Sequence, residues 1–228
     1  MKIDLPPPLS WAIKSVSRRG LLRTGKVAAS VIVDLGFDLL YGTDTMRWIR
    51  AKDLGANSEY DVNAVRYQAT KARPLRKFMR KLDLPRDRVF TDLGSGKGRV
   101  LLIAAQLGFE KIVGIEFSPR LCDIARQNVK IFATKTGATS CIDIIESDVA
   151  LYNVEPEQCI FFIYNPFDEV VMERLLMNLR DSLERFPRKI WLLYNTPIHS
   201  SVIESSALFC SCKEFEIGGT EFRVYENF

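Results

Sequence analysis

The sequence predicts an α/β protein: a doubly wound sheet of five parallel strands, an antiparallel hairpin at its C-terminus and a helical extension ahead of it. Three observations predict it. Beyond Pro85, nearly continuous apolar runs alternate with segments of helical period, as in a parallel sheet covered on both faces. At the chain's end two short strand-like runs, "LFCSCKEFEI" and "TEFRVYEN", flank Gly218-Gly219, which is hairpin chemistry. Before Pro85 the period is helical and the charge basic.

At the N-terminus, "MKIDLPPPLSW" lacks the apolar core of a secretory signal, and Pro6-Pro7-Pro8 makes an extended lead-in. From Lys26 to Leu40 the spacing is helical. Lys26, Ser30, Asp34 and Asp38 form one stripe, and Val27, Val31, Leu35 and Leu39 the next. Gly42 can close that helix, and Asp44 or Thr45 can cap another. A second amphipathic helix is expected from Lys71 to Leu82, with Pro74 near its start. Leu75, Phe78, Met79 and Leu82 form its apolar stripe, and Arg76, Lys77, Arg80 and Lys81 its basic face. Strands are expected near 88–93, 111–116, 141–147, 159–165 and 189–195, with helices at 99–107, 119–132 and 169–186 between them. The division expected is a basic helical extension over residues 1–60 and the α/β domain over 61–228.

Composition narrows the function classes. With 47% hydrophobic and 26% charged residues the chain is of ordinary globular type. Its most apolar early stretch, Val27 to Tyr41, is interrupted by Asp34 and Asp38 and is too short to span a bilayer. Five cysteines at irregular spacing give no disulfide framework and fit a cytoplasmic protein. Cys210 and Cys212 form a lone C-x-C beside a single histidine, so they are expected as alternating strand residues without a metal. Residues 1–84 carry 16 Lys and Arg against 8 Asp and Glu, whereas residues 85–228 carry 16 against 20. The basic third suits an acidic macromolecular partner or a solvated helix face.

"FTDLGSGKGRV", residues 90–100, carries the chemistry. Gly94, Gly96 and Gly98 follow the first strand and permit a tight turn and close backbone approach where such sheets bind ligands. The dinucleotide fingerprint wants its third glycine one residue later, where Arg99 stands. Asp92 beside the loop would repel a pyrophosphate but suits a ligand bearing an ammonium or sulfonium. Glu116 ends the second strand, where a carboxylate can take both ribose hydroxyls. Asp148 lies just after the third strand and can accept from an exocyclic amine such as adenine N6. Ribose, adenine and a cationic amino-acid tail together describe S-adenosyl-L-methionine.

"DLGSGKG", "GIEFSP", "ESDV" and "YNPF", in that order, resemble class I (seven-β-strand) S-adenosylmethionine-dependent methyltransferases with their Rossmann-like fold, over about residues 60–228. The resemblance implies that Asp92, Gly94, Ser95 and Gly96 meet the methionine moiety and its loop, with Gly98 also cofactor-binding, that Glu116 holds the ribose, and that Asp148 with Val149 holds the adenine. Lys97 departs from the small or acidic residue common at its position. "YNPF" resembles the [DNS]-P-P-[YF] signature of enzymes that methylate amine or amide nitrogens, shortened by one residue. It implies that Asn165 and the Pro166 carbonyl aim the acceptor nitrogen and that Phe167 stacks on a planar target or walls an alkyl-ammonium channel.

"VRYQAT", residues 65–70, resembles the Y-x-x-T segment of non-SET lysine methyltransferases, of the nucleosomal-histone and ATP-synthase-subunit types. That resemblance places Tyr67 and Thr70 over the cofactor's carboxylate end. A helix N-cap is the other reading of Thr70. Asn195 ends the fifth strand and His199 lies beyond it, both as rim residues. The function expected is N-methylation of a protein lysine. The alternatives are a nucleic-acid base methyltransferase, a non-catalytic cofactor-binding module, and membrane-surface contact through "WAIKSVSRRGLLRTGK".

Overall fold

The structure of the chain is a computed structural model that describes residues 34–47, 69–164 and 168–228. Its strands are β1 (Val89–Leu93), β2 (Lys111–Glu116), β3 (Cys141–Glu146), β4 (Gln158–Tyr164), β5 (Trp191–Asn195), β6 (Ser211–Glu216) and β7 (Glu221–Glu226). They form one sheet in the order β3-β2-β1-β4-β5-β7-β6, parallel from β3 to β5 and antiparallel at β7 and β6. This is the expected Rossmann-like sheet with its hairpin. The chain winds outward from β1 to β3, then returns to the other side of β1 to form β4. Strand order therefore reverses between β1 and β4, which opens a crevice beyond their carboxyl ends.

Every residue of β1 is buried, as is β4 up to Tyr164, because helices cover both faces. On one face α1 (Ala72–Arg80) and α2 (Arg99–Gln106) join Phe90, Phe162 and Leu193 in a core, and Phe78 of α1 stacks on Phe222 of β7 at 4.2 Å. On the other face α4 (Glu169–Arg185) covers Phe161, Ile163, Leu192 and Tyr194. Helix α3 (Pro119–Thr136) begins as its sequence dictates: Pro119 opens it, and the Ser118 hydroxyl accepts from Leu121 N at 3.3 Å. Asp168 caps α4 in the same manner, through Val171 N.

Expected boundaries and observed ones differ by one to four residues at most ends. A 3₁₀ turn at Val149–Leu151 and a short helix, α5 (Ser200–Ser205), were not expected, since neither is long enough to show a period. Of the helix expected over 26–40, residues 26–33 lie outside the described residues, as does the boundary drawn near residue 60 and the "WAIKSVSRRGLLRTGK" stretch. Residues 34–41 are helical, and Gly42 closes the helix at φ +74° with its N–H on Asp38 O.

That helix faces the reverse of what hydropathy alone would choose. Asp34 is 5% exposed and Phe37 4%, whereas Leu39 is 81% exposed. The cause is Arg99, whose buried guanidinium draws the Asp34 and Asp38 carboxylates inward and lies over the Phe37 ring. A second correction concerns Arg76. It leaves the basic face to bind Gln106 Oε1 and to sit over Phe37, so the exposed cations of α1 are Arg73, Lys77 and Arg80, with Lys81 at its cap. Among the described residues no helix is long and apolar enough to cross a membrane, and no cluster of His, Cys, Asp or Glu could hold a metal ion.

Candidate active site

The glycine loop leaves β1 at Leu93 and turns through positive φ at Gly94 (+80°), Gly96 (+54°) and Gly98 (+82°). Two N–H groups fasten it to the neighbouring strand: Gly94 N and Ser95 N both donate to Ile115 O at 2.9 Å. Gly96 N donates to Glu116 Oε2 at 2.8 Å, and Ser118 N to Glu116 Oε1 at 3.0 Å. Glu116 thus holds the loop and the turn after β2, with backbone donors from Gly96, Phe117 and Ser118.

Gly114 was missed as a site residue, although an isolated glycine inside a strand signals close backbone approach. A Cβ there would stand 2.7 Å from both Leu101 Cδ1 and Ser95 Oγ. The loop and the first turn of α2 can press on β2 only because position 114 lacks a side chain. Gly114→Val is therefore expected to destabilise the fold by about 1–3 kcal/mol through overpacking. It should also weaken cofactor binding, read by thermal unfolding and ligand titration. Unchanged stability would mean that the loop is not seated against β2.

Asp92 is 2% exposed, and its Oδ2 has no hydrogen-bond partner among the described residues; nor has Ser95 Oγ. Burial first, and the Glu116 charge second, hold the Asp92 carboxyl well above the usual carboxylate range. Burial also raises Glu116, opposed by its backbone donors. Two buried carboxyl groups and an orphaned hydroxyl beside an open backbone loop are the polar set that a ligand bearing an ammonium and a ribose can satisfy. Beyond β3, Asp148 Oδ1 accepts from Ala150 N at 2.8 Å and starts the 3₁₀ turn that buries Val149. Because β1, β2 and β3 are adjacent and parallel, the candidate cofactor residues Asp92, Gly94, Ser95, Gly96, Gly98, Glu116, Asp148 and Val149 all lie along one edge of the sheet. The residues present fit S-adenosylmethionine.

Beyond β4 the chain leaves Tyr164 for Asn165, Pro166 and Phe167, which lie outside the described residues, as does Tyr67. Tyr164 itself pairs in register with Asn195, and Ile163 with Leu93, so β4 ends beside the glycine loop at the point of strand reversal. The Tyr164 phenol is held above its ordinary pKa by burial and, next, by the nearby Asp34 carboxylate. Asn195 is 2% exposed and accepts from Thr196 Oγ1. His199 precedes α5 and sets Nδ1 3.5 Å from Glu169, the first residue of α4, linking the segments after β4 and β5. Thr70 is buried, and its carbonyl accepts from Arg99 Nη1 at 3.5 Å, so it stands against the start of α2. It does not cap α1. The cap position is Lys71, and the Ala72 N–H is taken by Asp34 Oδ1 at 2.8 Å.

Lys97 turns away from the crevice. Its side chain is fully buried, with Nζ 2.6 Å from Arg47 O and 3.3 Å from both Asp44 oxygens. Desolvation pulls its pKa down, and Asp44 pushes back.

A family model described as "Histone methylation protein DOT1" matches residues 52–140, a span that takes in the glycine loop, Gly114 and Glu116. No curated protein matches the chain in sequence. Among solved structures, the chain is similar to an RNA methyltransferase from Salinibacter ruber in complex with S-adenosyl-L-homocysteine. The TM-score is 0.51 at 20% identity, over 70% of this chain and 93% of that one. A ribosomal protein L11 methylase from Lactobacillus delbrueckii subsp. bulgaricus gives 0.53 at 14% identity, over 70% and 79%. A predicted N6-adenine-specific DNA methylase from Listeria monocytogenes gives 0.53 at 17%, over 70% of this chain and 51% of that one. These likenesses show the fold, and the family match falls on the part that carries the glycine loop. The chain has the fold of S-adenosylmethionine-dependent methyltransferases. The chain thus carries its glycine loop and its strand-end carboxylates in the order in which the sheet brings them to one edge.

Proposed function

We propose that this chain is an S-adenosylmethionine-dependent methyltransferase that modifies the side-chain nitrogen of a protein lysine. The observation that carries the reading is the match of residues 52–140 to the histone methylation family, joined to "YNPF" at the end of β4. The exposed cations of α1 supply a surface for an acidic macromolecular partner.

S-adenosylmethionine supplies an electrophilic methyl group on a sulfonium. The chain's residues do the rest by placement. Asp92 meets the cofactor's ammonium, Glu116 its ribose hydroxyls and Asp148 its adenine amine, with Val149 against the ring. Tyr67 and Thr70 contact the carboxylate end. Asn165 and the Pro166 carbonyl accept hydrogen bonds from the acceptor N–H groups, which turns the nitrogen lone pair toward the methyl carbon. Phe167 walls the channel for the lysine stem. A lysine must lose a proton before it attacks, and enclosure in an apolar channel promotes that by disfavouring the ammonium. Methyl transfer is an in-line displacement, so orientation and exclusion of water account for the acceleration.

The test is to incubate a host lysate with the enzyme and cofactor labelled in the methyl group, then to digest separate portions with protease and nuclease. Label released by protease and recovered as methyl-lysine is the expected result. Label released by nuclease assigns the acceptor to a nucleic-acid base, and methyl-arginine or a methyl ester overturns the lysine assignment.

A further inference from the structure

We propose that Lys97 and Arg99 are positioning residues: they hold the cofactor loop in its binding shape by clasping it to residues 34–47, and do not touch the ligand. The inference rests on the reading of the glycine loop as the cofactor site. A loop with three positive-φ glycines is intrinsically loose, since glycine surrenders more backbone freedom on ordering than any other residue. Both cations flank Gly98, and both side chains run to the leading segment. Arg99 donates through Nε to Thr45 Oγ1 at 2.7 Å, through Nη1 to Asp34 Oδ1 at 3.2 Å and through Nη2 to Asp34 O at 3.1 Å, with Asp38 Oδ2 at 3.6 Å. Asp38 in turn organises the turn after the helix, accepting from the Thr43 and Thr45 hydroxyls and from the N–H groups of Thr45 and Met46.

Asn128 of α3 closes the clasp. Its Nδ2 donates to Lys97 O at 3.0 Å and to Asp44 O at 3.2 Å, while its Oδ1 accepts from Asp44 N at 2.8 Å. One amide therefore registers the loop against the segment that receives Lys97. Two buried cations are an expensive way to fix one segment on another, since desolvation offsets much of the attraction, and apolar contacts would give stability alone. Directional donors give a fixed geometry as well. Lys97 also binds Arg47 O, and Arg99 binds Thr70 O.

The experiment uses the full chain with S-adenosylhomocysteine as probe, comparing wild type, Lys97→Met, Asp44→Asn, the double variant, Lys97→Arg and Glu116→Ala. Affinity is read by titration calorimetry and unfolding by thermal melts. Lys97→Met and Asp44→Asn are each expected to raise Kd about tenfold. The double variant should bind about as Lys97→Met does, because that change already removes the Lys97–Asp44 pair together with the Arg47 O contact. Lys97→Arg should recover part of the loss. In the labelled-methyl assay, KM for the cofactor should rise while kcat stays within a factor of about two. If Lys97→Met does not fold, Asp44→Asn, whose carboxylate is 43% exposed, carries the test. Variants that melt earlier yet bind with unchanged Kd overturn the inference, because the clasp is then purely structural. If Glu116→Ala also binds as wild type, the reading of the glycine loop fails first, and the inference with it.

Discussion

Asn165→Ala is expected to lower kcat by about two to three orders of magnitude while leaving affinity for S-adenosylhomocysteine within a factor of a few. That size is what a misplaced nucleophile or a lost oriented partner costs in comparable sites. The proposed contacts of Asn165 are to the acceptor, and the cofactor set Asp92, Glu116 and Asp148 belongs to other strand ends. Tyr164, the residue before Asn165 in sequence, ends β4 beside β1, where the strand order reverses. Labelled methyl transfer to a lysate protein fraction gives kcat, and calorimetry gives the affinity. A near-wild-type kcat would remove the Asn-Pro-Phe reading and return oxygen, sulfur and carbon acceptors to consideration.

Asp92→Asn should stabilise the ligand-free chain near neutral pH and at the same time cripple cofactor binding. Asp92 is buried and its Oδ2 unpartnered among the described residues, and its carboxyl is held well above the ordinary range by burial and then by Glu116. A folded-state pKa raised above the unfolded value contributes stability that is complete below the ordinary carboxylate range. That stability is lost as pH rises through the raised folded value. Near pH 8 the wild-type chain therefore holds this group at a cost, which a neutral amide of the same shape removes. Tm should rise by several degrees, about 2–4 °C for each kcal/mol recovered in a chain of this size. The gain should vanish at about pH 4, near the unfolded carboxylate pKa.

Cofactor binding should move the other way. An ammonium beside Asp92 favours its ionised form, so binding releases a proton and tightens as pH rises toward neutrality. The amide loses that charge-assisted contact, about 1.5–3 kcal/mol. Calorimetry in buffers of different ionisation enthalpy counts the proton. Lower Tm at pH 8, or undiminished affinity, would show that Asp92 is a structural carboxylate with no part in the site.

Much of this molecule was legible because its signals are local. Apolar runs and helical periods mark β1 to β5 and the helices between them, and alternation of the two forces a parallel sheet whatever the rest of the chain does. The glycine loop announces itself through residues that need positive φ, and Asp92, Glu116 and Asp148 through their places at strand ends. The candidate cofactor site is proposed from the same local signals, because a ligand in a doubly wound sheet lies where successive strands end, and strand ends are counted along the sequence. The identity of the acceptor was not readable in this way, since it depends on the surface beyond β4.

What only the tertiary structure decided are pairings between distant residues. Periodicity placed Asp34 and Asp38 on one stripe of a helix but could not say that this stripe faces inward. The reason is Arg99, some 65 residues away in sequence, whose buried charge outweighs the burial of Leu35 and Leu39. Arg76 belonged by pattern to a basic face and belongs by contact to Gln106 and Phe37. Lys97, an anomaly in the loop, is explained by Asp44 and Arg47 O, partners found only once the leading segment lies against the loop. Gly114 is a plain strand glycine until Ser95 and Leu101 are brought over it. Sequence alone determined the elements and their order, because propensity and periodicity act over a few neighbouring residues. Which faces are buried and what holds the loop were decided by charges and close contacts that exist only in the folded chain, since desolvating a cation imposes partners that no local pattern records.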